Sequence, residues 1–238
     1  MNYVLRDHIN KICLVYLDDI IILGTSLQEH IENIKTIFNT LKEHNLKVQL
    51  DKSEFLRKEV AYLGHIVTKD GIRPNPDKIN AVKSFPIPKT PKEIKQFLGL
   101  IGYYRKFIPN FAKITKPLTQ CLKKDNKIDI EDSNYRKSFE CAKNLLINTP
   151  ILQYPDYEKT FTITTDASNF AIGAVLSQNF ENKELPIAYA SRTLNEHEIN
   201  YSTSEKELLA IVWAVKYFRP YVYGRKLKLL LSTDPSHG

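Results

Sequence analysis

Cysteine is scarce. The 238 residues hold three, Cys13, Cys121 and Cys141, far apart and odd in number. That excludes a disulfide framework and a C-x-x-C metal pair, and it fits a reducing, intracellular compartment, cytoplasm or nucleus. Glycine, at 8, and proline, at 12, are too few for a collagenous or linker-like chain. No apolar run approaches the roughly 18 residues that a spanning helix needs, so no membrane partner is expected. The opening MNYVLRDHINK places Asp7, His8 and Asn10 where a secretory signal has its apolar core, so secretion is not expected either. Internal repeats and low-complexity tracts are also missing. Acidic residues are short in one stretch only. Between residues 82 and 124, Glu93 is the single acid against ten Lys and Arg, a local charge of +9 in a chain whose total is +7. The remainder therefore sums to −2, and the basic character is a local surface that suits an anionic partner, nucleic acid ahead of an acidic membrane.

What is present suffices for a packed core. Hydrophobic residues make up 42% and charged residues 26%, and the length allows one large domain or two small ones, read here as two with a boundary near residue 150. Ile12–Leu17 and Ile20–Leu23 read as the strands of a hairpin around Asp18-Asp19. Ser26, with Glu29 three residues on, opens a helix whose Leu27, Ile31, Ile34, Phe38 and Leu41 share one face. Strands are expected around Leu46–Leu50 and Val60–Val67, with a turn at Asp70-Gly71. Thr90 as N-cap, Pro91 at the first helical position and Glu93 at the third begin a helix to about Phe107. A second helical pattern covers Tyr135–Ile147. Strands at Phe161–Ser168, Ala171–Gln178 and Leu185–Ser191, a helix at Ser204–Tyr217 that is apolar almost all round, and a strand at Lys226–Thr233 give an α+β layout.

Three constellations bear chemistry. Asp18 and Asp19, flanked by apolar runs, are costly at a buried hairpin tip unless a cation neutralises them, and hard carboxylate oxygens suit Mg²⁺; they read equally as a solvated turn. Lys95, Gly99 and Tyr103, spaced by four, share a helical stripe extended by Arg105, Lys106, Lys113 and Lys116. A mid-helix glycine there lets a backbone approach a duplex groove, or serves a close helix–helix contact. Asp166 on the polar face of its strand, Glu207 in the first turn of the next helix and Asp234 at the last strand's end are placed to converge on a divalent ion. Glu207 as a capping partner of Ser204 and Asp234 as a turn residue are the alternatives.

The order of motifs resembles a known family. KICLVYLDDIIILG resembles the Y-x-D-D hairpin of reverse transcriptases, and LKVQLDKSEF followed by Tyr62-Leu63-Gly64-His65 resembles the next palm motifs of gypsy-type long-terminal-repeat retrotransposons. TDASNFAIGAVLSQ, Ile187–Ser191 and SEKELLAIVWAVKYFRPYVYG resemble the ribonuclease H domain that follows the thumb in those elements. The resemblance implies a partial reverse-transcriptase palm over 1–80, a basic helical thumb over 81–150 and a truncated ribonuclease H-like domain over 151–238. It implies Mg²⁺ or Mn²⁺ on Asp18 and Asp19, and on Asp166, Glu207 and, with spacing about two residues longer than the pattern, Asp234. Lys52 would stand near the nucleotide phosphates. Tyr62 and Gly64 would belong to the turn that positions the primer, and Lys95, Gly99, Tyr103 and Arg105 would contact duplex. RNA template, DNA primer, RNA–DNA hybrid and the other parts of a Pol polyprotein are the implied partners. A third palm carboxylate and the fingers are expected before Met1, and a further acidic ligand after Gly238. These 238 residues alone are therefore not expected to extend a primer. A non-catalytic nucleic-acid-binding protein, or the product of a decayed element, is the alternative reading.

Overall fold

The computed structural model describes residues 1–123 and 126–232. The chain forms two compact units, Met1–Arg57 and Lys58 onward.

In the first unit, β1 (Cys13–Tyr16) and β2 (Asp19–Ile22) form an antiparallel hairpin in which Tyr16 pairs with Asp19. Helix α1 (Leu27–Glu43) begins at Ser26, whose hydroxyl accepts from the Glu29 amide at 3.2 Å. The Glu29 carboxylate turns to the Thr25 amide, 2.9 Å away, so only half of the expected capping box forms. Leu5 and Cys13 pack against Ile37 and Leu41, with Val15, Ile20 and Ile22 around them. The expected apolar face of α1 is buried only in its C-terminal half, for Leu27 is 62% exposed. A four-residue strand of about 13 Å cannot cover a 17-residue helix of about 25 Å. Leu46–Leu50 is not a strand. It runs without a pairing partner into a 3₁₀ turn at Leu50–Lys52.

The second unit opens with a meander of β3 (Glu59–Tyr62), β4 (His65–Thr68) and β5 (Gly71–Pro74). The run expected as one strand at Val60–Val67 is thus a hairpin, folded at Leu63-Gly64. Four helices follow, α2 (Pro76–Lys83), α3 (Pro91–Gly102), α4 (Phe111–Gln120) and α5 (Ser133–Ile147). Thr90 caps α3 through the Glu93 amide as expected, but α3 stops at Gly102, and Arg105–Phe107 is a 3₁₀ turn. Val82, Ile94, Phe97, Ile101, Tyr104, Phe139 and Leu146 form the helical core.

Leu152 exchanges backbone hydrogen bonds with Ile72 and leads into a four-stranded sheet. Its strands are β6 (Phe161–Ala167), β7 (Ala171–Phe180), β8 (Lys183–Thr193) and β9 (Leu227–Leu231), in the order β8-β7-β6-β9. β9 runs parallel to β6 and the other pairs are antiparallel. Helix α6 (Thr203–Tyr217) packs on the sheet through Ala210, Ala214 and the following Phe218, against Phe161, Ile163 and Ile172. A short α7 (Arg219–Val222) follows. α6 is not buried on most sides: Leu208 and Val212 are 62% and 51% exposed, because only one face of the helix has a sheet to cover it. Among the described residues no helix is long and apolar enough to cross a membrane.

Candidate nucleic-acid and metal sites

The first unit presents its two carboxylates to water. Asp18 sits in the two-residue loop of the β1–β2 hairpin and Asp19 starts β2, both exposed. Leu17, the other loop residue, has φ +52, the sign that the first position of a type II′ turn requires. The expected buried tip is not observed. One face of the hairpin packs on α1, while Tyr16 and Leu17, 51% and 73% exposed, continue the open side. Adjacent exposed carboxylates still match Mg²⁺, which is commonly held by one or two carboxylates and completed by water and phosphate oxygens. Lys52 is exposed at the end of its 3₁₀ turn.

The stripe on α3 faces outward. α3 buries Ile94, Phe97 and Ile101, and by helical geometry turns Lys95 and Gly99 outward; both are exposed. A Cβ on Gly99 or Gly102 would meet nothing within 4 Å. Among the described residues, no close helix–helix contact explains a glycine here, and the bare backbone faces open space. Tyr103 is 56% exposed at the end of the stripe, but its hydroxyl donates to the Leu63 carbonyl at 2.6 Å. Its hydroxyl is thus committed within the chain, while its ring stays open to solvent. Arg105 lies off the stripe, its guanidinium 3.4 Å from the Ser191 carbonyl of β8. Neighbouring Lys106 has its pKa lowered by burial and lies over the Phe107 ring. Tyr62 ends β3 and Gly64 lies in the turn to β4, with φ +69.

In the sheet, Asp166 lies opposite Gly173 and lines a small depression with Asn110, Lys113 and Ser191. Phe161 and Ile163 turn the other way, into the core beneath α6. Glu207 is half-buried on α6, one residue after the buried Lys206. Its role as capping partner does not hold. Ser202 and Glu205 form the capping box, Glu205 returning to the Ser202 amide at 2.7 Å, which leaves Glu207 outside the cap. The loop before α6 is braced by Arg192, whose fork meets both Glu198 oxygens at 2.6 and 2.9 Å and lowers the Glu198 pKa. Among the described residues, no three His, Cys, Asp or Glu side chains are grouped to hold a metal. Asp234, expected in that cluster, lies outside the described residues.

Sequence reasoning missed the joint between helices and sheet. α4 begins at Asn110, which has φ +50 and makes no capping bond through its own side chain. Ser191 of β8 supplies the cap, its hydroxyl accepting from the Ala112 amide at 2.9 Å. Asn110 stands directly over Gly173, where no side chain could be accommodated without displacing it. Lys116 places its ammonium 3.5 Å from the centre of the Phe170 ring. The absent side chain at Gly173 and the polar Ser191 inside β8 were the only sequence signals.

Comparison with known proteins agrees with this layout. A family model described as reverse transcriptase (RNA-dependent DNA polymerase) matches residues 1–67, and one described as the RNase H-like domain found in reverse transcriptase matches residues 132–229. The retrovirus-related Pol polyprotein from transposon 297 of Drosophila melanogaster is 60% identical over 99% of this chain, and that from transposon gypsy of the same organism 41% identical over 98%. The chain spans 22% and 23% of those two relatives' lengths. A foamy viral protease-reverse transcriptase in complex with double-stranded DNA matches 97% of this chain and 40% of its own, with TM-score 0.84 and 26% identity. Another, in complex with RNA/DNA hybrid, matches with TM-score 0.81, 26% identity, 97% of this chain and 31% of its own. The chain is thus similar to a segment of the Pol polyproteins of transposons 297 and gypsy, one that carries reverse transcriptase and RNase H-like sequence.

Proposed function

We propose that this segment contributes to RNA-directed DNA synthesis and to hydrolysis of the RNA strand of an RNA–DNA hybrid, inside the cell and within a larger Pol polyprotein. Residues 1–80 act as part of the palm, 81–150 as the thumb and 151–238 as the ribonuclease H-like part. The observation that carries the reading is the Lys95–Gly99–Tyr103 stripe: an outward helix face with a cation, a bare backbone and an aromatic ring in succession, and open space above the glycine. Such a face admits a nucleic-acid groove, with Lys95 on phosphate and the Tyr103 ring against sugar. Asp18 and Asp19 would hold Mg²⁺ or Mn²⁺, and Lys52 would set its ammonium against the leaving pyrophosphate. Asp166 and Glu207, with Asp234, would hold the ions of the nuclease. A bound divalent ion neutralises charge on the attacking and leaving oxygens of phosphoryl transfer.

The test uses Gly99→Ala. Replacing a mid-helix glycine whose Cβ site is open should stabilise the chain by about 0.5–1 kcal/mol, because glycine is the weaker helix former. The same methyl would stand in the groove and should weaken binding to RNA–DNA hybrid. Stability and affinity are expected to move in opposite directions. Lys95→Ala should lower the salt slope of binding by about 0.9, the loss of one phosphate contact. Gly99→Ala with unchanged affinity would remove the stripe from the binding surface.

A further inference from the structure

The turn of the β3–β4 hairpin adopts a conformation that its own residues do not favour. Leu63 has φ +47 and Gly64 has φ +69, the two left-handed residues of a type I′ turn. Glycine takes that conformation readily, but leucine does not, since its Cβ crowds the following carbonyl. Something outside the turn must hold it.

The holding groups come from the end of α3 and the turn after it. Tyr103 Oη donates to the Leu63 carbonyl and Tyr104 Oη to the Gly64 carbonyl, each at 2.6 Å. The Leu63 carbonyl also accepts from His65 Nδ1 at 2.7 Å, which assigns that ring proton to Nδ1. The Gly64 carbonyl also accepts from the Asn75 amide at 3.1 Å. The His65 ring is stacked on Phe107 at 5.6 Å between centroids and lies 5.4 and 5.5 Å from the Tyr103 and Tyr104 rings. The two tyrosines meet edge to face at 5.0 Å. A Cβ on Gly64 would stand 3.2 Å from the Tyr103 ring and 3.3 Å from Tyr104 Oη, so both rings close over the turn. Tyr104 is 1% exposed, whereas Tyr103 keeps 56% of its surface open.

We propose that Tyr103 and Tyr104, with His65 between them, lock the Leu63-Gly64 turn to α3, so that the hairpin and the Lys95–Gly99–Tyr103 stripe meet duplex nucleic acid as one rigid surface. Tyr103 belongs to both parts: its ring completes the stripe and its hydroxyl fixes the hairpin. Tyr104 touches no ligand and is a positioning residue. Strained turns persist where the surroundings over-determine them, and they concentrate where pre-organisation matters. The duplex then does not have to order the hairpin when it binds, which keeps that cost out of the affinity. This rests on the duplex-binding reading of the stripe.

The experiment separates the two ideas. The 238-residue chain, its Tyr104→Phe and Tyr103→Phe variants and the double variant are compared by amide hydrogen exchange without ligand, and by binding to a short RNA–DNA hybrid across a salt series. Phenylalanine keeps the rings and removes only the two hydroxyls. Exchange at residues 59–68 should quicken by about five-fold for Tyr104→Phe, the equivalent of one neutral hydrogen bond, and by more for the pair. Affinity should fall by a similar factor with the log–log salt slope unchanged, since no phosphate contact is lost. Lys95→Ala is the opposite control, with a lower slope and unaltered hairpin exchange. Unchanged exchange in the double variant overturns the lock, whatever the binding. Quickened exchange with unchanged affinity leaves the turn locked but overturns its role in positioning. Absence of salt-dependent binding by the unsubstituted chain defeats the duplex reading, while the exchange result still judges the turn.

Discussion

Gly173→Ala inverts the sign that local propensity assigns to it. Glycine inside a strand is weaker than alanine by roughly 0.5–1 kcal/mol, so on strand preference alone the substitution stabilises. Gly173 lies in mid-β7 opposite Asp166, and its ideal Cβ would approach Asn110 Oδ1 to less than 3.0 Å, a separation that real Cβ atoms essentially never show. Asn110 cannot retreat without cost. It starts α4, and the next turn is pinned by the Ala112 amide on Ser191 Oγ. An added methyl in such a contact costs about 1–3 kcal/mol. Against the strand gain, the net expectation is a loss of about 0.5–2 kcal/mol. Asn110→Gly supplies the second arm of a cycle, because it removes the obstructing amide and suits the φ of +50 at that position. In that background Gly173→Ala should become stabilising by about 0.5–1 kcal/mol. Urea unfolding followed by Trp213 fluorescence measures both arms; Trp213 is the single tryptophan and packs beside Ile172 and Ala210 on the same sheet. Equal effects of Gly173→Ala with and without the Asn110 side chain would refute the contact, and with it the seating of α4 on β7.

Three further outcomes follow from particular contacts. Ser191→Ala removes the cap that β8 lends to α4 and should cost about 0.5–2 kcal/mol in the same unfolding assay, with faster amide exchange confined to the start of α4. The Tyr135 hydroxyl is buried, donates to the Pro88 carbonyl at 2.8 Å, and has its pKa pushed up to about 12 by burial. The folded state then holds this proton more tightly than the unfolded chain, so its contribution is complete below pH 10 and is lost as pH rises from 10 to about 12. Tyr135→Phe should flatten alkaline unfolding in that window. Arg192→Lys replaces the two-pronged grip on Glu198 with a point charge and should cost about 1–2 kcal/mol. Because Arg192 holds the Glu198 pKa low, the unsubstituted protein should lose this contribution as pH falls below the usual glutamate range, and the variant should show a smaller acid dependence.

Features that depend on neighbours in sequence were legible, and those that depend on distant partners were not. Thr90, Pro91 and Glu93 specify the start of α3 among themselves, and the structure agrees to the residue. Short apolar runs around Asp18-Asp19 placed the β1–β2 hairpin, β-rich runs placed three strands of the sheet, and the spacing of Lys95, Gly99 and Tyr103 identified an outward stripe. α4 escaped notice for a physical reason. Its N-cap lies 79 residues away on another strand, its own Asn110 does not cap it, and Pro117 interrupts the pattern inside it. Leu46–Leu50 shows the converse error, since an alternating run without a partner strand has nowhere to place its hydrogen bonds and does not form β structure. At the candidate sites, sequence named the residue types but could not see their commitments. The Tyr103 hydroxyl reads as free for a ligand until the Leu63 carbonyl is found beside it, and Glu207 reads as a capping residue until Ser202 and Glu205 take that role. In each case the deciding atom was a backbone group whose position only the packed chain defines. A side chain's chemistry can be read from its identity, but its availability depends on which backbone donors and acceptors the fold brings within about 3 Å of it.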